Sequence, residues 1–164
     1  MNSTEKRVNQ VWDLIRQVMD PELPFLSVDD MGMIRGVRLE QDQIVVTLTP
    51  TYSGCPATDV IATDVRSALH AVEPTGRLEL ALSPPWTTDW ISERARHLMA
   101  QHGIAPPEGP SADRAFLTGQ GKTIPCPRCK STHTTMVSAF GSTACKAHFT
   151  CDACLEPFEH FKCI

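Results

Sequence analysis

The sequence predicts an α+β domain with a three-stranded sheet, followed by a small cysteine-rich ribbon. Apolar residues recur at helical spacing in three segments and at strand spacing in three others, in the order αββαβα. Proline and glycine then interrupt this pattern, and six of the seven cysteines lie behind the interruption. We therefore predict a domain at 1–104, a linker at 105–124 and a Cys₄ zinc ribbon at 125–164.

Composition and charge narrow the classes of function. The 164 residues are 41% hydrophobic and 21% charged, with a formal net charge of −4. This balance gives no electrostatic reason to expect nucleic acid or an anionic membrane as a partner. The polar start and the lack of a long apolar run favour a cytoplasmic protein. In a reducing compartment, so many cysteines indicate metal ligands or reactive thiols rather than disulfides.

The first predicted elements are a helix, a loop and a hairpin. An apolar stripe at helical spacing predicts a helix that Asp20-Pro21 stops. Residues 33–40 and 43–50 read as the two strands of a hairpin. Between the helix and the hairpin lies a loop whose carboxylates either serve as caps and turn residues or bind metal beside Cys55. These carboxylates are Asp20, Glu22, Asp29 and Asp30.

A second helix is predicted directly behind Cys55. Pro56 suits its first position, because a helix start leaves that N–H unpaired in any case. Apolar residues at helical spacing then carry the helix to about Glu73. The positive end of the helix dipole would stabilise a thiolate at Cys55. Cys55 is therefore either a working thiol or a small residue that fits a tight turn.

A third strand and a last helix complete the predicted domain. Residues 77–83, "RLELALS", have the apolar alternation of a strand. Thr87 or Thr88 is expected to cap the last helix, which carries Trp90 and ends near Gly103. We expect Trp86 and Trp90 to be core or interface anchors, since there is no aromatic cofactor motif.

Two pairs of cysteines have the spacing of a zinc ribbon. Cys126-x-x-Cys129 and Cys151-x-x-Cys154 are separated by 21 residues, which leaves room for a β-hairpin between them. Each pair can bring two thiolates to one ion, and two pairs complete a tetrahedral shell. Four soft ligands favour a structural Zn²⁺ ion. A rubredoxin-like iron and the replacement of one ligand by Cys145 are the alternatives.

The remaining cysteines and histidines of the ribbon have weaker assignments. Cys145 and Cys163 are either small buried residues or thiols held for transient metal or sulfur binding. His133, His148 and His160 are expected on strand surfaces, because four cysteines already fill a tetrahedron. The ribbon is too small for an adequate core, so the metal should supply much of its folding free energy.

Several stretches of the sequence resemble a known family. They are "DPELPFLSVDDMGMI", "TPTYSGCPATDV", "SPPWTTDWISERAR" and "HGIAPP". In the same order, over about residues 8–107, they are similar to the SufT-like domain of iron–sulfur cluster assembly factors. With the ribbon included, the whole chain resembles the D-subunit family of phenylacetyl-CoA epoxidase systems. Met31 and Met33 replace the usual leucines of the SufT-like domain and keep its hydrophobic character.

The resemblance implies an accessory or maturation protein of aerobic phenylacetate catabolism and not an enzyme. The epoxidase uses a di-iron oxygenase subunit and a reductase that carries flavin and a [2Fe–2S] cluster. The D-type protein is implied to help mature one of these centres, so its partners are these subunits. The resemblance assigns to Cys55 the role of reactive thiol or transient ligand of iron or an iron–sulfur cluster. The resemblance leaves open whether the chain forms a homodimer.

Other classes of function make different demands on the sequence. A purely structural subunit of the oxygenase needs no working Cys55. A thiol enzyme needs a base beside Cys55, but His70 lies near the far end of the same predicted helix, about 20 Å away at 1.5 Å per residue. His97 and His102 remain candidates for that base. A nucleic-acid-binding ribbon needs a basic face with aromatic residues, which the nearly neutral ribbon lacks.

Overall fold

The structure is a computed structural model that describes residues 3–52, 54–108 and 123–162. Its elements confirm the α+β fold class. In none of the described ranges is a helix long and apolar enough to cross a membrane. In chain order the elements are α1 (Ser3–Ile15), β1 (Ile34–Glu40), β2 (Gln43–Leu48), α2 (Thr58–Val72), β3 (Arg77–Leu80), a 3₁₀ turn (Thr88–Trp90), α3 (Glu93–Gln101), β4 (Ile104–Ala105), β5 (Thr134–Ser138), β6 (Lys146–Cys151) and β7 (Pro157–Phe161).

The chain divides into two compact units. Unit 1 contains the chain up to Trp86, together with Trp90–Ser92. Unit 2 contains Thr87–Asp89 and the chain from Glu93 onward. Each unit has its own β-sheet, with three strands in unit 1 and four strands in unit 2.

The sheet of unit 1 has the strand order β1-β2-β3. β1 and β2 form the predicted antiparallel hairpin, and its two-residue turn, Gln41-Asp42, has positive φ angles of 46° and 69°. Positive φ at both positions is typical of the type I′ turn, whose twist matches that of the strands. β3 pairs parallel to β2, so α2 is the connection between them. α1 packs against α2 and β1.

The loop between α1 and β1 is anchored in unit 1 by two close contacts. Trp86 donates a hydrogen bond from Nε1 to the carbonyl oxygen of Met31 at 2.8 Å. Gly32 has a φ of +66°, and a Cβ atom on it would lie 2.4 Å from the carbonyl oxygen of Trp90. This position therefore requires glycine, both for its conformation and for the close approach of the two backbones. Met31 and Met33 are both buried, in keeping with their expected hydrophobic role.

Unit 2 is built on a sheet with the strand order β4-β7-β6-β5. β5 and β6 form the hairpin predicted between the two cysteine pairs, and β7 pairs antiparallel with β6. The rings of Phe149 and Phe158 stack across these strands with centroids 5.6 Å apart. Its main core cluster is small and consists of Ala105, Ile124, Cys126, Ala147, Phe149, Cys151 and Phe158.

The two compact units divide the chain at a different place from the predicted modules, whose boundaries stay a prediction. The sequence placed the last helix in the first domain and began the linker at residue 105, but α3 and β4 belong to unit 2. The reason is the parallel pairing of Ile104 and Ala105 with β7, a long-range contact that local sequence patterns do not reveal. Within the predicted linker, residues 109–122 lie outside the described residues, and Ile124 is buried in the core of unit 2.

The last helix begins later than predicted. Thr88–Trp90 form a separate 3₁₀ turn, and α3 begins only at Glu93. Thr87, one of the two predicted caps, accepts a hydrogen bond through Oγ1 from the N–H of Asp89 at 3.0 Å, so it caps the 3₁₀ turn instead. The predicted end is confirmed, because Gly103 follows α3 with a φ of +76°.

Gly32→Ala is expected to destabilise unit 1 by more than about 1 kcal/mol, because alanine resists a positive φ and its Cβ would clash with Trp90. Urea unfolding followed by tryptophan fluorescence measures this loss. The matched control is Gly36→Ala, since a Cβ atom at Gly36 meets nothing within 4 Å. The control should unfold at or above the wild-type midpoint, and equal midpoints for the two variants would contradict this account of Gly32.

Candidate metal centre and reactive cysteine

Four cysteines of unit 2 form a compact cluster. The Sγ atoms of Cys126 and Cys154 lie 3.8 Å apart, and those of Cys129 and Cys151 lie 3.5 Å apart. All four sulfur atoms lie within 4.8 Å of one another. Cys126 and Cys151 are buried in the core of unit 2, whereas Cys129 and Cys154 are exposed. The cluster therefore has one side in the core and one side at the surface.

Two backbone turns of the same geometry bring the sulfur atoms together. The N–H of Lys130 donates to the carbonyl oxygen of Cys126 at 3.0 Å, and the N–H of Leu155 donates to that of Cys151 at 2.9 Å. Lys130 and Leu155 both have a φ of 63°. The sequence did not predict this repeated left-handed position, because neither residue is glycine or asparagine, the usual signals for it.

The four sulfur atoms have the separation that a tetrahedral ion requires. A Zn–S distance of about 2.3 Å implies sulfur atoms about 3.8 Å apart in a regular tetrahedron. The two short distances of 3.5 and 3.8 Å match this value, and all the others are 4.8 Å or less. In residues 3–52, 54–108 and 123–162, this cluster is the one group of three or more cysteine, histidine or carboxylate side chains that could hold a metal ion. The structure thus brings together the four cysteines that the sequence singled out.

The thiols of the cluster differ in their readiness to ionise. The backbone N–H of Cys154 lowers the pKa of Cys151 to about 7, against the opposing effect of burial. The N–H of Glu156 favours the thiolate of Cys154, but burial and the neighbouring sulfur atoms of Cys151, Cys129 and Cys126 outweigh it and raise the pKa of Cys154 to about 12. Cys151 is therefore the thiol that ionises more readily of the two, and a cation bound by the cluster would displace the protons that remain.

Cys55 lies in unit 1, in the connection between β2 and α2. Its N–H donates to the carbonyl oxygen of Tyr52 at 3.2 Å, and its own carbonyl oxygen accepts from the N–H of Thr58 at 3.1 Å. Pro56 and Ala57 lie inside the turn that this second bond closes, so α2 begins at Thr58 and not at Pro56 as predicted. Cys55 therefore precedes the helix by three positions. Its thiol is free and partly buried.

Two of the four carboxylates that might have completed a metal site at Cys55, Asp20 and Asp30, have roles in the loop. Oδ1 of Asp20 accepts hydrogen bonds from the N–H groups of Glu22 at 2.7 Å and Leu23 at 3.0 Å. The carboxylate of Asp30 accepts from two serine hydroxyls, each at 3.0 Å. In the described part of the chain, Cys55 belongs to no group of three ligand atoms. These contacts favour the turn role for Asp20 and Asp30.

Cys145 lies apart from the cluster. It is 8% exposed, and its Sγ lies 3.0 Å from Oγ1 of Thr143. Because the four sulfur atoms come together without it, the alternative in which Cys145 replaces a ligand has no support from the geometry. Cys163 lies outside the described residues.

One histidine of unit 2 has a different environment from the one predicted. His160 was expected on a strand surface, but it is only 2% exposed. Its Nδ1 lies 3.1 Å from the carbonyl oxygen of Ala105, and its ring packs edge-on against Phe149. The reason is that β4 pairs with β7 and brings Ala105 against His160. His133 is exposed and His148 is partly buried.

Comparison with known protein families identifies both parts of the chain. Residues 9–79 match the family model described as "Iron-sulfur cluster assembly protein". Residues 110–162 match the family model described as "PaaD zinc beta ribbon domain". The two matches do not overlap, and they follow the order that the sequence predicts.

Individual relatives extend this likeness. The chain is 46% identical over 160 residues to a protein of Escherichia coli (strain K12) that is named as the putative D subunit of 1,2-phenylacetyl-CoA epoxidase, with 96% of this chain and 94% of the relative covered. It is 39% identical over 85 residues to an Fe-S protein maturation auxiliary factor of Porphyromonas gingivalis (strain ATCC BAA-308 / W83), with 50% of this chain and 80% of that protein covered. A crystal structure of the domain of unknown function DUF59 from Bacillus anthracis matches with a TM-score of 0.53 and 27% identity, over 59% of this chain and 94% of that one.

Cys151→Ser is expected to lower the affinity for zinc by at least about 100-fold, since loss of a ligand exceeds the effect of losing a group that merely orients one. Zinc per chain, measured by elemental analysis after dialysis, reports this loss. Cys145→Ser is the matched control and should retain one zinc, because Cys145 lies outside the cluster. Wild-type zinc content in Cys151→Ser would disprove the ligand assignment.

Zinc binding is expected to release more protons at pH 6 than at pH 8. The ligands bind as thiolates, and below the pKa of about 7 of Cys151 that thiol still holds its proton. At pH 8 most Cys151 thiols are ionised before zinc binds. The number of protons released on binding therefore falls by nearly one, and zinc binds more tightly. Calorimetry in buffers of different ionisation enthalpy counts the protons. An equal count at the two pH values would contradict this ionisation of the cluster.

Proposed function

The chain belongs to the family of D subunits of 1,2-phenylacetyl-CoA epoxidase, and on that premise we propose that it is a non-catalytic accessory protein that matures an iron or iron–sulfur centre of a partner subunit. We propose the reductase or the di-iron oxygenase subunit of the epoxidase as that partner, in the cytoplasm. The observation that carries the proposal is the free thiol of Cys55 within the segment that matches iron–sulfur cluster assembly proteins.

In this proposal Cys55 is a transient ligand of the transferred iron or cluster. Its thiol is free, and two backbone hydrogen bonds fix the turn that carries it. Among the described residues, no two further ligand atoms lie close enough to Cys55 to form a group of three with its sulfur atom. A single thiolate holds an iron ion weakly, so further ligands must come from the partner or from a second copy of the chain. Weak, incomplete ligation suits a protein that must hand its cargo on.

The four-cysteine cluster has a structural role in the same proposal. A closed set of four thiolates leaves no open position for a substrate, which is typical of structural zinc sites. The buried cluster around it in unit 2 has seven members, two of them the ligands Cys126 and Cys151. A resident Zn²⁺ held by Cys126, Cys129, Cys151 and Cys154 would therefore supply folding free energy to unit 2.

Two other functions differ from this one in what they demand of Cys55. A structural subunit of the oxygenase would tolerate its loss. A thiol enzyme would need a base beside it. His70 lies near the end of α2, with Nε2 3.0 Å from the carbonyl oxygen of Gly76. His97 and His102 belong to unit 2.

Cys55→Ala is expected to fold like the wild type, because it removes one partly exposed sulfur atom from a turn held by its backbone. In cells, growth on phenylacetate should fall several-fold. The wild-type thiol at Cys55 should also react with iodoacetamide faster than that of Cys145, which is only 8% exposed. Cys145→Ala serves as the control and should support growth.

Both results are needed, because reactivity alone shows only an accessible thiol and lost growth alone could reflect a damaged fold. Circular dichroism of Cys55→Ala separates these cases. A well-folded Cys55→Ala protein that supports wild-type growth would show that Cys55 is only a small turn residue.

A further inference from the structure

The sheet of unit 2 has two edges that differ in how they are protected. β4 forms one edge, is two residues long, and is followed directly by Pro106 and Pro107. Proline has no N–H to offer a neighbouring strand, so this edge is guarded. β5 forms the other edge with five residues, Thr134–Ser138. An edge strand of that length presents a row of backbone N–H and C=O groups with which a further strand can pair.

β5 lacks the charged side chains that commonly guard an edge strand. Residues 134–142, "TTMVSAFGS", contain no charged side chain and no proline. A β-bulge between Met136 and Ser138 interrupts the register with β6, but the residue that it skips, Val137, is apolar and 62% exposed. The bulge therefore aims an apolar side chain at solvent and adds no charge to the edge.

The exposed apolar surface of unit 2 is concentrated along this strand. In the described part of unit 2, four large hydrophobic side chains are exposed, and three of them are Met136, Val137 and Phe140. The fourth is Leu155. Phe140 follows β5 by two residues and is 69% exposed. Single apolar residues are common on a protein surface, but three on one strand and its continuation form a patch, and such a patch marks an interaction site.

The two ends of β5 carry opposite charges. Near its start, the carboxylate of Asp152 accepts a hydrogen bond from Oγ1 of Thr135 at 3.0 Å. Beyond its end, Nζ of Lys162 donates to the carbonyl oxygen of Ala139 at 3.0 Å and lies 4.7 Å from the centre of the Phe140 ring. When a strand pairs antiparallel with a copy of itself, the start of each strand lies beside the end of the other. Unlike charges then meet at both ends, and the uncharged middle pairs without repulsion.

We propose that β5 pairs antiparallel with β5 of a second copy of the chain, so that four strands from each copy form one continuous sheet. Each copy uses the same surface, so the contact has two-fold symmetry. Pairing consumes the open edges and leaves the guarded β4 edges outside, so the assembly closes at two copies. Five residues a side make a small interface, and we therefore expect a weak dimer with a dissociation constant in the micromolar range. The pairing does not depend on the role proposed for Cys55.

Sedimentation equilibrium of the zinc-loaded full chain, over a range of concentrations, measures the dissociation constant of the dimer. Val137→Lys should raise this constant at least about tenfold, because it brings two like charges together near the two-fold axis. The matched control is Leu82→Lys, since Leu82 is also 62% exposed but lies in unit 1. The dissociation constant of the control should stay within about twofold of the wild type. Zinc content and circular dichroism confirm that each variant is folded.

A charge reversal tests the direction of pairing. Asp152→Lys should weaken the dimer about threefold, because cations then meet at both ends of the paired strands. Asp152→Lys combined with Lys162→Glu restores unlike charges and should bring the dissociation constant back to within about twofold of the wild type. If the combined variant with full zinc content is as weak as Asp152→Lys, the antiparallel pairing is wrong.

A wild-type chain that is monomeric at about 100 μM would overturn the proposal. If Val137→Lys then reduced binding to the reductase or the oxygenase subunit, the open edge would belong to a strand of that partner and not to a second copy. Equal weakening by Leu82→Lys and Val137→Lys would place the dimer contact elsewhere. Wild-type assemblies larger than two copies would also contradict a closed pairing of β5 with itself.

Discussion

Unit 2 depends on one constraint, the convergence of four cysteine sulfur atoms within 4.8 Å. Two turns of the same geometry bring the sulfur atoms together, and Lys130 and Leu155, which close those turns, have a left-handed backbone conformation. Two of the cysteines also belong to the buried core cluster of unit 2. Within this cluster the pKa of Cys151 is lowered and that of Cys154 is raised. A metal ion bound by the four thiolates would displace the remaining protons and fix the two turns.

The sequence predicted the features that depend on local residue spacing, but it missed those that depend on pairing between strands far apart in the chain. The cysteine spacing predicted the cluster, and apolar periodicity predicted the helices and the three-stranded sheet. Both patterns depend on residues that are close together in the sequence. The membership of α3 in unit 2 and the burial of His160 both follow from β4 pairing with β7. Those partners are separated by more than fifty residues, and β4 is only two residues long. The helix predicted behind Cys55 is present, but it begins at Thr58, two positions later than predicted, because Pro56 lies in the preceding turn.

The chain thus holds its cysteines in two different settings. In unit 2, four cysteines form a closed set that suits a permanently held ion. In unit 1, Cys55 is a free thiol on a turn, without a ready set of further ligands among the described residues. Permanent and transient ligation make opposite demands on ligand number, and under the proposed function the two separate units would allow each demand to be met. This division gives physical content to an accessory role in metal-centre maturation.

Maturation and structural support of the epoxidase differ most directly in the metal content of the partner subunits. The measurement is iron and acid-labile sulfide per subunit, for the reductase and the oxygenase purified without oxygen from cells that lack this chain. The account predicts that one of the two subunits is present in normal amount but deficient in iron or sulfide, and that expression of the chain restores it. Full metal content in both subunits, with only their assembly impaired, would contradict the account and identify a structural role instead.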